Sequence, residues 1–507
     1  MPQPSTVDIM YLEQRMQQVA IEGATQVSSA EDATVFIKNI GLKPLIDGVL
    51  APHCHTEQQQ MARVKAVKGL CTLVKHKKHL ADNIALIPEL TTLLIEMIEL
   101  PLHKWHSVRE VEALAQTEAL NFILRLVRSS DQAVKHLMSL ARLKKALSSI
   151  LNHHEDSLES SMKRAALDPA RFDLDHAESP GLDHFLDPRG SKTKDKFSNT
   201  RVVDNHGLDL VQKARIALWA LGGVPWKPKQ PGQRGLRILS FDGGGTRGVL
   251  TIALLKQLME RLGMKYPHEV FDIICGTSTG GIIAYLLGGN LLNVDKTETL
   301  YDSFIHKVFS SKSNLKLVTE QASYDEMELE KILHSFTGED LVVDTNKNDC
   351  PRVFCVSTKL DNNPPQIQLF RNYNYPKGQS SRYGGSFQAN ALTAIRATTA
   401  APTFFTPVQW EGGLYCDGAL VANNPTAVAL QEAKALYPSV PIEYVVSIGT
   451  GIYNNRTGHD AMNWDLLVNQ IIASSVDTED VHTLLKDFLP EEKYLRINPV
   501  RRNPNPA

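Results

Sequence analysis

The chain has 507 residues, about three domains' worth at roughly 150 residues each. Hydrophobic residues make up 42% and charged residues 22%, proportions that exclude a disordered chain or a fibre. With 54 Lys and Arg against 56 Asp and Glu the formal charge is -2, so no global field favours nucleic acid as a partner.

From the N-terminus, MPQPSTVDIMYLEQRMQQVAIEG has no basic segment followed by an apolar run and carries Asp8 and Glu13; no targeting signal is expected. The six cysteines (Cys54, Cys71, Cys275, Cys350, Cys355 and Cys416) contain no CxxC pair. A structural zinc site and a secreted disulfide scaffold are therefore poorly supported, and a reducing, intracellular setting is the expectation, cytoplasmic by default with an organelle left open. HCH at 53–55 and HKKH at 76–79 lack carboxylate partners at ligand spacing, so neither a metal nor another cofactor is called for.

Residues 34–153 have helical periodicity with no strand signal. Leu-rich helix, polar turn and Leu-rich helix recur at a spacing of roughly 50 residues, which suits an armadillo-like helical repeat module over 1–155; an irregular bundle is the other reading. Residues 61–150 hold 14 Lys and Arg against 8 Asp and Glu, a local charge of +6, including KHKKH at 75–79 and RLKK at 142–145. Such a face either contacts anionic lipid headgroups or is simply solvated; the module is also a surface for a protein partner. Residues 156–206 mix Pro, Gly, Ser and Lys in the manner of a linker.

Beyond that linker the texture changes. RILSF (237–241), FDIIC (271–275), RVFCVST (352–358), QIQLF (366–370) and IEYVVSIG (442–449) read as short buried strands with helices between them. This pattern predicts an α/β domain over 207–507 with a mainly parallel sheet covered on both faces, whose chemistry gathers at the carboxyl ends of the strands. The apolar stretch 271–292 is interrupted by Asp272, Ser278 and several glycines, which is wrong for a membrane span.

Three constellations carry chemistry. GTSTG (276–280) lies between a strand and a helix, the setting of a nucleophile elbow in which Gly276 and Gly280 allow the tight turn and Ser278 is exposed at a helix N-terminus. DGGGTRG (242–248) ends the first strand and opens a helix; its consecutive glycines let N–H groups converge on an anion. Gly243, Gly245 and Gly248 also fit GxGxxG, leaving a dinucleotide site or a plain glycine turn as rival readings. Asp417, in LYCDGALVANNP, ends a short apolar run; it is either a general base for Ser278 or an ordinary Asp-Gly turn. A Ser-His-Asp triad would need His459 or His482, of which the first sits in a polar stretch and the second in a helical one. Phe404, Phe405 and Leu414 either line an acyl groove or pack in the core.

Together, DGGGTRG (242–248), GTSTG (276–280), AIRATTAAPTFF (394–405) and DGALVANNP (417–425) resemble the patatin-like phospholipases, a likeness that continues through VSIGTG (446–451) and SVDTEDVH (475–482) and covers roughly 207–500. The resemblance implies a three-layer α/β domain, and a calcium-independent lipid acyl hydrolase working at a phospholipid membrane surface through an acyl-serine. It implies Ser278 as nucleophile paired with Asp417 in a dyad without a catalytic histidine, and an oxyanion hole formed by Gly243, Gly244 and Gly245 with Arg247. The family usually reads Asp-Gly-Gly where this chain has Ala419 in third place. The last residues, PNPA, do not match a peroxisomal signal. The alternatives are a neutral-lipid or general carboxylester hydrolase using a triad, and a catalytically silent scaffold that binds lipid or protein.

Overall fold

The structure, a computed structural model, describes residues 6–51, 56–99, 110–152, 205–310, 326–347, 350–402, 404–453 and 478–501. The expected helical block is present: α1 (Thr6–Thr25), α2 (Ala30–Asn39), α3 (Lys43–Leu50), α4 (Glu57–His76), α5 (Leu80–Ala85), α6 (Pro88–Ile98), α7 (Glu110–Ser129), α8 (Asp131–Ser139) and α9 (141–152), followed after the stretch read as a linker by α10 (Asn205–Ala220). Most of the linker, 153–204, lies outside the described residues. Local chemistry sets the helix starts. Ser29 caps α2 in a reciprocal box with Asp32, and the Ser130 hydroxyl accepts the Ala133 N–H at the start of α8, each satisfying donors that a helix end leaves unpaired.

The chain forms two compact units. The first comprises 1–76, 87–123 and 142–215; the second comprises 77–86, 124–141 and 216–507. Within the first unit Val64, Val67, Leu70, Leu73 and Val74 bury one stripe of α4, while Lys65, Lys68 and Lys75 lie on its exposed side.

The second unit is built on a nine-stranded sheet. Its strands are β1 (Leu236–Phe241), β2 (Ile273–Thr277), β3 (Arg352–Lys359), β4 (Gln366–Arg371), β5 (Gly384–Ser386), β6 (Val408–Trp410), β7 (Gly413–Asp417), β8 (Ile442–Ile448), β9 (Ile452–Tyr453), β10 (Tyr494–Ile497) and β11 (Val500–Arg501), of which β9 and β11 pair separately. The main path runs β10-β8-β1-β2-β3-β4-β5. Its first four pairings are parallel; β3 then pairs antiparallel with both β4 and β7. All five predicted strands are present, with β2 displaced toward its glycine end.

Side-chain alternation divides the sheet's contacts into two cores, as period-2 geometry requires. Leu239, Phe241 and Ile274 face one, together with Ile252 and Leu255 of α11 (Gly248–Leu262), Ile282 of α12 (Thr279–Ala284), Tyr301 of α13 (Val294–Ser310), Leu333 of α14 (Glu326–Thr337) and Ala394 of α15 (Ala391–Thr399). Ile238, Ile273 and Phe354 face the other, with Trp219 and, after the one-turn α16 (Ala419–Ala422), Val428 and Ala429 of α17 (Thr426–Leu436). Helices therefore cover both faces, and the domain has three layers.

Candidate active site

Strand register brings Ser278 and Asp417 together. Strand β2 runs alongside the first half of β3 and ends with Thr277 opposite Val356. Strand β7 arrives from the other direction and ends with Asp417 opposite Ser357, the next residue. The ends of β2 and β7 thus meet over one strand, and Ser278 leaves β2 where Asp417 leaves β7. The Ser278 Oγ–H donates to Asp417 Oδ2 at 2.7 Å.

Ser278 has φ 54 and ψ −122, a conformation that β-carbon sterics disfavour and that clusters at functional turns. Neighbours hold it there. Its N–H donates to Thr398 Oγ1 at 2.9 Å, its carbonyl accepts the N–H groups of Gly281 and Ile282, and Thr277 Oγ1 donates to the Ala422 carbonyl at 2.7 Å. The elbow also requires its glycines. A Cβ on Gly276 would sit 2.0 Å from the Gly280 carbonyl oxygen, and one on Gly280 would sit 2.5 Å from that of Phe241.

Asp417 is buried. Burial pushes its carboxyl up to about 6, opposed by the hydrogen bond from Ser278 and by the Ala419 N–H, which donates to Oδ1 at 2.8 Å. Ala419 in the place of the family's second glycine serves this bond through its backbone, which is indifferent to a methyl side chain. Each oxygen of Asp417 therefore has a protein donor, and no histidine is interposed between it and Ser278. His482 instead faces Tyr494, with Nδ1 3.3 Å from the phenol oxygen; His459 lies outside the described residues.

The glycine loop lies beside the elbow: a Cβ on Gly243 would be 3.2 Å from Ser278 Cβ. The Gly243 N–H already donates to the Asn423 carbonyl at 3.1 Å. Among the described residues the N–H groups of Gly244 and Gly245 carry no such bond. Arg247 turns onto the loop itself, its Nε donating to the Gly244 carbonyl at 3.2 Å and its Nη1 to that of Gly451 at 3.1 Å. At the start of the loop Asp242 is held by Arg496 of β10 through contacts of 2.9 and 2.5 Å. Arg496 also donates to Glu479, in α18 (Glu479–Phe488), at 2.8 Å. Neither Arg496 nor Asn423 was marked as functional by any sequence pattern; Asn423 lies inside the quoted DGALVANNP, while Arg496 carries no motif.

Phe405 packs beside the core that holds Ile395 and Phe370, Leu414 is half-buried, and Phe404 is exposed. Among the described residues no group of three or more His, Cys, Asp or Glu could hold a metal ion, and no helix is long and apolar enough to cross a membrane.

A three-layer α/β domain with a serine on a strained strand-to-helix turn and a glycine loop beside it has the architecture of a serine hydrolase. The model of the patatin-like phospholipase family matches residues 239–430, a stretch that contains Gly243, Ser278 and Asp417. Over this stretch the chain is similar to that family. It is similar to calcium-independent phospholipase A2-gamma of Oryctolagus cuniculus, 41% identical over 276 residues that make up 53% of this chain and 35% of the relative. It is 32% identical to Phospholipase A I of Arabidopsis thaliana over 332 residues, 54% of this chain and 25% of the relative. It is 29% identical to the 85/88 kDa calcium-independent phospholipase A2 of Mus musculus over 234 residues, 42% of this chain and 27% of the relative. The chain thus spans about a third of the length of the phospholipase A2-gamma relatives it matches.

Proposed function

We propose that the protein is a calcium-independent phospholipase of A type that releases fatty acids from glycerophospholipids at a membrane surface through a Ser278-Asp417 dyad. The observation that carries this reading is the direct 2.7 Å hydrogen bond from Ser278 Oγ to Asp417 Oδ2. That separation is within proton-transfer reach without an intermediary, which supports Asp417 as base and Ser278 as nucleophile.

Ser278 Oγ attacks the ester carbonyl while Asp417 takes its proton. The negative charge that develops on the carbonyl oxygen is received by the N–H groups of Gly244 and Gly245. Collapse of the adduct breaks the ester C–O bond, and the leaving glycerol oxygen takes the proton back from Asp417, leaving an acyl-serine. Water then attacks the acyl carbon with Asp417 again as base, and the fatty acid departs as Ser278 regains its proton. The exposed Lys65, Lys68 and Lys75 on α4 support a role for the helical region in meeting an anionic lipid surface.

The test is fatty-acid release from phospholipid vesicles in the presence of a chelator. Ser278→Ala and Asp417→Asn should each lower the rate by about 10³-fold, while His459→Ala and His482→Ala stay within about twofold. A histidine variant as inactive as Ser278→Ala would replace the dyad by a triad.

A further inference from the structure

The glycine loop presents its N–H groups only if its peptide planes are turned the right way. Because the C=O and N–H of a trans peptide point in opposite directions, whatever holds one carbonyl aims the following N–H. Three successive carbonyls of the loop are held by side chains. The Gly243 carbonyl accepts from Thr450 Oγ1 at 3.1 Å, and the Gly244 carbonyl accepts from Arg247 Nε at 3.2 Å. The Gly245 carbonyl lies 2.8 Å from the Tyr301 phenol oxygen and 2.9 Å from Thr279 Oγ1. Tyr301 and Thr279 also bond one another, so with one proton apiece one hydroxyl donates to the carbonyl and the other to its neighbour.

These grips come from distant parts of the chain. Thr450 follows β8, the neighbour of β1 in the sheet. Tyr301 is fully buried on α13, and burial pushes its phenol well above its ordinary value, which keeps it a neutral donor. Thr279 immediately follows the nucleophile. The packing leaves little room for another arrangement: a Cβ on Gly244 would lie 2.2 Å from Thr450 Oγ1, and one on Gly248 would lie 2.4 Å from the Tyr301 oxygen.

We propose that Thr450 is a positioning residue that, with Arg247, fixes the oxyanion-binding N–H groups of Gly244 and Gly245 by gripping the loop from its carbonyl side, while Tyr301 anchors the next peptide, 245–246, and so holds the end of the loop from which those donors project. Arg247 then acts through the loop rather than as a direct ligand of the oxyanion. Tyr301 and Thr279 further tie the loop to the elbow, so that the donors keep station relative to Ser278. This assignment rests on the acyl-hydrolase reading above.

It is tested with a soluble chromogenic acyl ester, a trifluoromethyl ketone of the same chain, which adds Ser278 Oγ and places an oxyanion in the hole, and the matching amide, which binds without reacting. Thr450→Val, which removes the hydroxyl and keeps the branching, should lower kcat about tenfold with KM within about twofold. Tyr301→Phe leaves Thr279 as donor and should lose about threefold, reaching about tenfold when Thr279→Val is added. The ketone should weaken in step with kcat/KM while amide affinity holds, and Thr450→Ser, which keeps the hydroxyl, should recover most of the rate. Unchanged kcat in Thr450→Val, equal weakening of ketone and amide, or no recovery in Thr450→Ser would each overturn the assignment. Absence of acyl release by the wild type, or full activity of Ser278→Ala, would instead overturn the hydrolase reading itself.

Discussion

Asp417 carries its charge where water does not reach, and the consequence for pH can be worked out in sign. Its folded-state value of about 6 lies above the roughly 3.9 of an unfolded aspartate. Between those values the folded chain binds more protons at this group than the unfolded chain does, so its contribution to stability falls as pH rises through that window. Under the proposed mechanism catalysis runs the other way, since a protonated Asp417 cannot accept the proton of Ser278. The kcat/KM of a soluble ester should therefore rise through an acid limb centred near pH 6. Asp417→Asn keeps a neutral partner for Ser278 and for the Ala419 N–H; its residual activity should show no such limb. It should also melt higher than the wild type at pH 7.5, by about 2 °C. Calorimetry and a pH-rate profile check both statements. At this scale the strained turn at Ser278 was legible because GTSTG lies between a strand and a helix, the setting of a nucleophile elbow. Asp417 was legible only as an Asp-Gly that could equally have been a turn, since its partner depends on a strand register 139 positions away.

At the scale of elements, the site exists because β2 and β7 end at adjacent positions on β3, and the joint is tight. Gly276→Ala would drive a methyl into the Gly280 backbone. It should destabilise the second unit by about 3 kcal/mol and remove Ser278 from reach of a fluorophosphonate probe, measured by melting and by labelling. The buried pair of Asp242 and Arg496 joins β1 to β10. Arg496→Met leaves a carboxylate buried without its cation and should cost about 3 kcal/mol, most of it recovered when Asp242→Asn is added; urea unfolding of the single and double variants checks this. Buried parallel strands were visible in sequence because both of their faces are covered and they read as continuous apolar runs. Strands of two to four residues such as β5, β6, β10 and β11 were not, because pairing partners define them rather than composition. Arg496 likewise shows no local sign of the carboxylate it meets 254 residues away.

For the whole molecule, helical texture states that a face is buried but not against what. Residues 77–86 and 124–141 look like their helical neighbours, yet they belong to the same compact unit as the sheet. Arg128 Nε donates to Asp344 at 3.1 Å, and Gln388 donates to the Val127 carbonyl at 2.7 Å. Arg128→Met should leave the mostly buried Asp344 without its cation and destabilise this unit by about 2 kcal/mol, lowering its melting temperature while ester hydrolysis at low temperature persists. Net charge was the least informative global quantity. The value of -2 for the chain conceals a basic helical stretch, and chemistry resides in a few residues brought together by sheet register.

The most direct measurement of the central claim is trapping of the covalent intermediate. Wild-type protein mixed with phospholipid vesicles, quenched in acid within the first turnovers and digested, should yield the peptide containing Ser278 heavier by one acyl group. The same mass should appear in His459→Ala and His482→Ala and be missing in Ser278→Ala. An acyl group found on another residue, or fatty-acid release undiminished in Ser278→Ala, would contradict the account.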